Sequence, residues 1–150
     1  MAQSLAKNLI HLVYSTKNRV ACLNANLRPS LFAYQAGILK QCGSPALVIG
    51  GVADHVHTLF CLSKTHALTK VIEELKKGSS KWIKTQGSGF ANFQWQAGYG
   101  AFSVSPSDVD DVRRYIDRQE EHHRTKTFQE ELVVLLNQHG MEYDETYLWD

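Results

Sequence analysis

Apolar and polar residues follow strand-like and helix-like patterns along the first part of the chain. β-Branched and aromatic residues dominate 8–16, which predicts a first strand. Helical apolar spacing over 29–43, with proline near the start and glycine past the end, predicts a first helix. The apolar runs 46–52 and 55–62 predict a hairpin, because only a two-residue break separates them.

A second helix and a last set of strands are predicted from the next segment. Apolar residues recur at helical spacing over 68–83, and Thr65 is a candidate cap for this helix. Short apolar stretches at 93–96 and 100–104 predict strand pieces around a glycine-rich turn. The resulting order, β-α-β-β-α-β, is typical of the ferredoxin-like (split βαβ) arrangement.

The C-terminal part is predicted to be helical. A third helix is expected to open at Ser105, and a further helix is expected over 128–138, before a terminating glycine. We therefore predict an α+β fold: a ferredoxin-like antiparallel sheet with helices on one face, plus C-terminal helices. No repeat or low-complexity linker interrupts the pattern, so residues 1–150 are predicted to form one domain.

The composition excludes several classes of protein. The chain has 150 residues, 43% hydrophobic and 21% charged, as in an ordinary globular domain. No apolar run approaches the ~18 residues of a membrane span, and the first residues do not have the pattern of a signal peptide. Three cysteines without a CxxC motif predict neither a disulfide framework nor a cysteine zinc site, so we expect a protein of the cytoplasm.

The charges are divided unevenly along the chain. The net charge is +1. Residues 1–107 carry 11 basic and three acidic residues, a net +8, and residues 108–150 carry five basic and 12 acidic residues, a net −7. The first part could form an anion-binding face, or the two parts could simply pair with each other.

Two histidines stand at alternate positions of the predicted strand 55–62. Side chains at i and i+2 of a strand point to the same face, so His55 and His57 lie side by side. Two neutral imidazoles at that spacing can hold one divalent metal ion. The alternative is that both histidines are merely part of a polar sheet face.

A tyrosine and a glutamine stand four residues apart on the predicted third helix. Tyr115 and Gln119 would share one helix face, next to the apolar face of that helix. A phenol is a poor nucleophile at neutral pH unless the electrophile is polarised, usually by a metal ion. Gln119 offers a neutral oxygen as a third ligand. Taken alone, Tyr115 could equally be a packing residue, and Gln119 could equally lie in solvent.

Together these features resemble a known group of enzymes. A strand His-hydrophobe-His pair, followed by one helical tyrosine and a glutamine four residues later, is similar to the HUH superfamily. The similarity is strongest to its single-tyrosine insertion-sequence transposases. It extends over nearly the whole chain, in segments that keep their order: His11–Arg19, Asp54–His57, Leu75–Ser80, Trp95–Val104, Tyr115–His123 and His139–Asp144.

The resemblance implies a mechanism and a substrate. His55, His57 and Gln119 would hold Mg²⁺ or Mn²⁺, and Tyr115 would attack DNA to give a 5′-phosphotyrosine. The substrate would be single-stranded DNA with imperfect hairpins at the ends of a mobile element. The protein would act as a homodimer with active sites shared between subunits, on the nucleoid of a bacterium or archaeon, without a membrane partner.

Basic residues outside this set are the candidate DNA contacts, since phosphate neutralisation supplies affinity. These are Lys17, Arg19, Lys77, Lys81 and Lys84. Other functions remain open: a non-catalytic or domesticated hairpin-binding module of the same fold, a replication-initiation domain, or a metal-dependent hydrolase that uses water. A binding module would bind without metal and form no covalent adduct. A hydrolase would not need Tyr115.

Overall fold

Four antiparallel strands form the centre of the molecule, for which a computed structural model describes residues 2–150. The strands are β1 (Asn8–Ser15), β2 (Ala46–Gly51), β3 (His55–Leu62) and β4 (Gly100–Val104). Their order in the sheet is β2-β3-β1-β4. The predicted α+β, ferredoxin-like arrangement is therefore confirmed.

Five α-helices accompany the sheet. They are α1 (Arg28–Gln41), α2 (Leu68–Lys84), α3 (Val109–Asp117), α4 (Gln119–His122) and α5 (Phe128–Gln138). In residues 2–150, no helix is both long enough and apolar enough to cross a membrane.

The main hydrophobic core lies between one face of the sheet and helices α1 and α2. Leu12 and Tyr14 of β1 and Val56 and Phe60 of β3 are fully buried there. They alternate along their strands with residues that point to the opposite face, as the two-residue period of a strand requires. The apolar sides of α1 and α2, which precede and follow the β2–β3 hairpin, thus stabilise the fold.

The opposite face of the sheet is covered by the C-terminal helices. A second cluster joins Val13 and Phe102 of the sheet to the apolar side of α5, at Phe128 and Leu132. On the same side, Ile116 of α3 lies against the backbone of β2. His55 and His57 of β3, the candidate metal ligands, lie on this face, so the C-terminal helices enclose them.

Two local expectations are wrong. Thr65 does not cap α2, whose N-cap is Ala67 without a side-chain hydrogen bond. The Thr65 hydroxyl and backbone N–H instead contact the Ser63 hydroxyl at 3.0 and 3.2 Å, a local turn that competes with capping. Residues 93–96 do not form a strand; they contribute one isolated bridge, from Trp95 to Thr16.

Gly50 of β2 is required by the close approach of α3. A Cβ at this position would lie 2.6 Å from the backbone oxygen of Ile116 and 2.9 Å from its Cγ2. We expect Gly50→Ala to lower the free energy of unfolding by ~1–3 kcal/mol, as overpacking does. In α1, Gly37→Ala meets no atom within 4 Å, so it should raise that free energy by ~0.5–1 kcal/mol. Urea unfolding measures both changes in free energy. Equal changes in the two variants would contradict the close approach of α3 to Gly50.

Candidate active site

The histidine pair of β3 is completely enclosed. His55 and His57 have no exposed side-chain surface, and their ring centroids are 5.2 Å apart. Their Nε2 atoms both point toward the C-terminal helices, where they meet Glu131 of α5. The strand period that placed them side by side in the sequence prediction thus holds in the structure.

Glu131 places one carboxylate oxygen between three imidazoles. Its Oε1 lies 2.8 Å from His57 Nε2, 3.2 Å from His55 Nε2 and 3.1 Å from His123 Nε2. The side chain is only 2% exposed. Buried carboxylates are costly unless paired and hydrogen-bonded, and here the imidazoles and neighbouring donors supply those partners.

Glu131 and His123 were missed by the sequence reasoning. A signal for Glu131 was present, because it falls among Phe128, Leu132 and Leu135 on the apolar side of α5. A charged residue on that side has to find a polar partner inside the protein. His123, which directly follows α4, belongs to the segment Tyr115–His123 that carries the resemblance, but it was not predicted as a ligand.

Gln119 reaches the histidine pair, although not from the expected continuous helix. Helix α3 ends at Asp117 and α4 begins at Gln119. The Arg118 N–H is shared between the carbonyls of Arg114 and Tyr115, which tightens the turn and separates the helices. The Gln119 side chain is 1% exposed, with Oε1 3.2 Å from His55 Nε2.

Tyr115 is half-buried at the edge of the same cluster. Its hydroxyl donates a hydrogen bond to Glu131 Oε2, and its ring meets the His57 ring edge-on at 5.7 Å. Burial, together with the Glu131 carboxylate, raises the pKa of Tyr115 above its ordinary value. The phenol therefore carries its proton and has an acceptor for it in place.

Each histidine of the pair is held at its second ring nitrogen. His55 Nδ1 lies 2.6 Å from Asp54 Oδ1, and His57 Nδ1 lies 2.8 Å from His11 Nε2. Burial opposes the charge on His55, but the bonds to Asp54 and Glu131 outweigh it and raise the pKa to about 9. Burial lowers the pKa of His57, and it lowers that of His11 to about 3.

The cluster has the composition and size of a metal site. Ligand atoms of His55, His57, His123 and Glu131 all lie within 4.8 Å of one another. Imidazole nitrogens and a carboxylate suit first-row divalent ions. Glu131 adds a negative charge, which the wholly neutral ligand set expected from the sequence did not include.

A cleft leads from solvent to Tyr115. It has a volume of about 590 Å³ and is lined by Tyr115, by the basic side chains of Arg118 and Lys126 and by the acidic side chains of Glu121 and Glu131. Arg118 and Lys126 are the candidate phosphate contacts of this cleft, since guanidinium and ammonium groups both bind phosphate. By contrast, Tyr14, another tyrosine of the chain, is fully buried on the other face of the sheet and bonded to Gln35.

Two of the five candidate DNA contacts lie at a second cleft. Lys17 and Lys77 line a second cleft of about 560 Å³, together with Trp95. Arg19 donates to the Trp149 carbonyl at 3.4 Å. Lys81 and Lys84 are exposed on α2, outside the lining of this cleft.

Lys76, on the same helix as Lys77, is tied to the protein rather than free. Its Nζ donates to the carbonyls of Gln96 at 2.8 Å and Gly98 at 2.6 Å. Burial lowers the pKa of Lys76 to about 8. This lysine fixes the loop that forms one wall of the second cleft.

Comparisons with known proteins agree with this fold. Residues 4–119 match the family model described as "Transposase IS200 like". A candidate transposase from Deinococcus radiodurans R1 superposes with a TM-score of 0.62 at 21% identity, over 79% of this chain and 98% of the other. A REP-associated tyrosine transposase bound to a REP hairpin gives a TM-score of 0.61 at 15% identity, over 82% and 73%.

At these identities the two structures show a shared fold. No curated protein matches the chain. The family match contains the histidine pair, Tyr115 and Gln119, and it ends before α5. Glu131 therefore reaches the cluster from outside the matched segment.

The raised pKa of His55 predicts a pH-dependent stability in protein stripped of metal with EDTA. Because the folded pKa is about 9 against an ordinary value of 6.5, the contribution is fully present below pH 6.5 and is lost as pH rises through 9. We expect wild type to exceed His55→Gln in free energy of unfolding at pH 6. That difference should shrink by up to about 3 kcal/mol by pH 9.5.

Urea unfolding of both proteins at several pH values measures this difference, in which the titrating groups that do not interact with His55 cancel. His66→Gln, at an exposed histidine, is the matched control and should follow wild type throughout. A difference between wild type and His55→Gln that stays constant with pH would count against the ion pairs of His55.

Proposed function

The chain belongs to the family of IS200-like transposases, and from that premise we propose that it cleaves and rejoins single-stranded DNA at hairpin-marked ends. The reaction proceeds through a 5′-phosphotyrosine at Tyr115, with a divalent metal ion. One observation carries the proposal: the Tyr115 hydroxyl, Glu131 and the histidine pair form a single hydrogen-bonded cluster at the end of a cleft that opens to solvent.

The chemistry can be written for this chain's own residues. Tyr115 Oη attacks the phosphorus and its proton passes to Glu131 Oε2, which already accepts that hydrogen bond. The bond from phosphorus to the 3′-oxygen breaks, and that oxygen takes up a proton as a free 3′-hydroxyl. The phosphotyrosine keeps the energy of the phosphodiester, so attack by another 3′-hydroxyl rejoins DNA without ATP.

His55, His57 and Glu131 are the proposed metal ligands, and Gln119 and His123 lie close enough to complete the set. The ion would be Mn²⁺ or Mg²⁺, and a donor set rich in imidazole favours Mn²⁺. When bound, it supplies positive charge to the non-bridging oxygens of the phosphate.

The DNA is proposed to pass along the two clefts, each of which has basic side chains in its lining. Arg118 and Lys126 line the cleft at Tyr115, and Lys17 and Lys77 line the other. Trp95 at the second cleft is mostly buried, with its indole N–H donating to Ser79, so phosphate contacts rather than base stacking dominate there. Support for a hairpin substrate comes from the similarly folded protein bound to a REP hairpin.

The homodimer with active sites shared between subunits remains a prediction. Within a single chain, Tyr115 contacts Glu131, and Glu131 contacts the histidine pair. The site can therefore be complete without exchange of α3 between subunits. A dimer that exchanged α3 would have to break the Tyr115–Glu131 hydrogen bond of each chain.

Tyr115→Phe tests the nucleophile, because the phenyl ring keeps the packing and removes only the attacking oxygen. The substrate is a 3′-labelled single strand carrying an imperfect palindrome from the DNA that flanks the gene, incubated with Mn²⁺. We expect wild type to form a covalent adduct that survives denaturing electrophoresis, and Tyr115→Phe to form none. Tyr147→Phe, at a 69% exposed tyrosine, should form as much adduct as wild type.

His57→Ala completes this experiment. It should abolish the adduct and keep hairpin binding, because the proposed phosphate contacts are made by other residues: Lys17, Lys77, Arg118 and Lys126. An adduct in Tyr115→Phe would contradict the assignment of the nucleophile. Hairpin binding by wild type without any adduct, with or without Mn²⁺, would support the binding-module alternative instead.

Lys17→Ala and Lys77→Ala test the second cleft. Each variant should weaken binding of single-stranded DNA about equally for different sequences, because each removes a phosphate contact. Each should also reduce the slope of log affinity against log salt by ~0.7–1. Fluorescence anisotropy at several salt concentrations measures both quantities. Lys40→Ala, at an exposed lysine of α1, is the control. An equal slope in all three variants would exclude the second cleft as a DNA-binding site.

A further inference from the structure

His11 is a buried histidine of β1 that the proposed reaction does not use. It is 4% exposed. Val13 pairs with His57 across the two strands, and His11 lies two residues before Val13 on the same face. This diagonal position brings His11 Nε2 to 2.8 Å from His57 Nδ1.

The two ring nitrogens of His57 need different partners with and without a bound metal ion. In the structure His57 Nε2 lies 2.8 Å from Glu131 Oε1, and a carboxylate oxygen only accepts, so Nε2 carries a proton there. To present a lone pair to a metal ion, Nε2 has to lose that proton. A neutral imidazole then carries its proton on Nδ1 and needs an acceptor at that position.

An imidazole is one of few side chains that can satisfy His57 in both arrangements. His11 Nε2 can donate to His57 Nδ1 when the latter is unprotonated, and accept from it when it is protonated. The partner of His55 differs, since Asp54 is a carboxylate that can only accept a hydrogen bond. Neutral His11 therefore allows His57 to exchange tautomers without a change in its charge.

We propose that His11 is a positioning residue, whose hydrogen bond to His57 Nδ1 persists in both tautomers of His57 and so allows His57 Nε2 to become free to bind metal. In the exchange, the proton in the bridge moves from His11 Nε2 to His57 Nδ1, one proton leaves His57 Nε2, and one joins His11 Nδ1. Both rings stay neutral. The proposal rests on the proposed function only in taking His57 as a metal ligand.

The packing around His11 keeps its ring in a fixed orientation. It stacks on His57 with centroids 5.1 Å apart at 29°, and it lies against Phe102 at 6.0 Å. Phe102 in turn stacks on His139 at 4.4 Å. His11 also lines a cleft of about 340 Å³, which gives its ring a route for proton exchange with solvent.

His11→Phe tests the proposal, because phenylalanine keeps the ring in the stack and removes both nitrogens. The matched control is His139→Phe, which makes the same change in the same aromatic stack without a contact to His57. Mn²⁺ affinity is measured by calorimetry without DNA, and the tautomer of His57 by long-range ¹H–¹⁵N NMR. We expect His11→Phe to lose 10–100-fold in affinity, His11→Gln to recover part of it, and His139→Phe to match wild type.

Every outcome of this experiment is informative. Affinity of folded His11→Phe within twofold of wild type, or an equal loss in His139→Phe, would overturn the proposal. If wild type binds no Mn²⁺, the metal assignment of the proposed function fails, and the NMR readout still decides. Ring ¹⁵N shifts of His57 that change in His11→Phe, but not in His139→Phe, would support the positioning role. Unchanged shifts would overturn it.

Discussion

The buried Glu131 carboxylate is the interaction on which the rest of the site depends. Its two oxygens join three imidazoles to the Tyr115 hydroxyl, although these groups come from β3, from α3 and from the residue that follows α4. An uncompensated charge at a 2% exposed position would be strongly destabilising, so the donors and the carboxylate require one another. This mutual requirement links α3, α4 and α5 to the histidine strand, in addition to the apolar packing of α5 on the sheet.

The sheet separates stability from chemistry. One face packs α1 and α2 around a mainly apolar core, and the other carries the histidines beneath the C-terminal helices. Strand alternation produces this division directly, since Val56 and His57 are neighbours in sequence and point to opposite faces. Because the core of α1 and α2 lies on the other face, changes at the histidine face can alter the chemistry while that core persists.

The fold and half of the site follow from local sequence patterns. Strand and helix periods are local properties, so β3 and the pairing of His55 with His57 are predictable from the chain alone. Glu131 and His11 were not predicted, because each joins the site through a contact between elements distant in sequence, 74 residues apart for Glu131 and 46 for His11. Such contacts depend on helix placement and strand register, which apolar periodicity does not specify.

The basic and acidic parts of the chain both contribute residues to this site. The basic first part of the chain supplies the histidine strand, and the acidic last part supplies Glu131. The two parts pair there through a buried carboxylate, whose burial is secured by the apolar side of α5 packing on Val13 and Phe102. The free energy of that packing therefore holds a charged group against the histidines. For this reason α5, although outside the family match at 4–119, is part of the site and not an appendage to it.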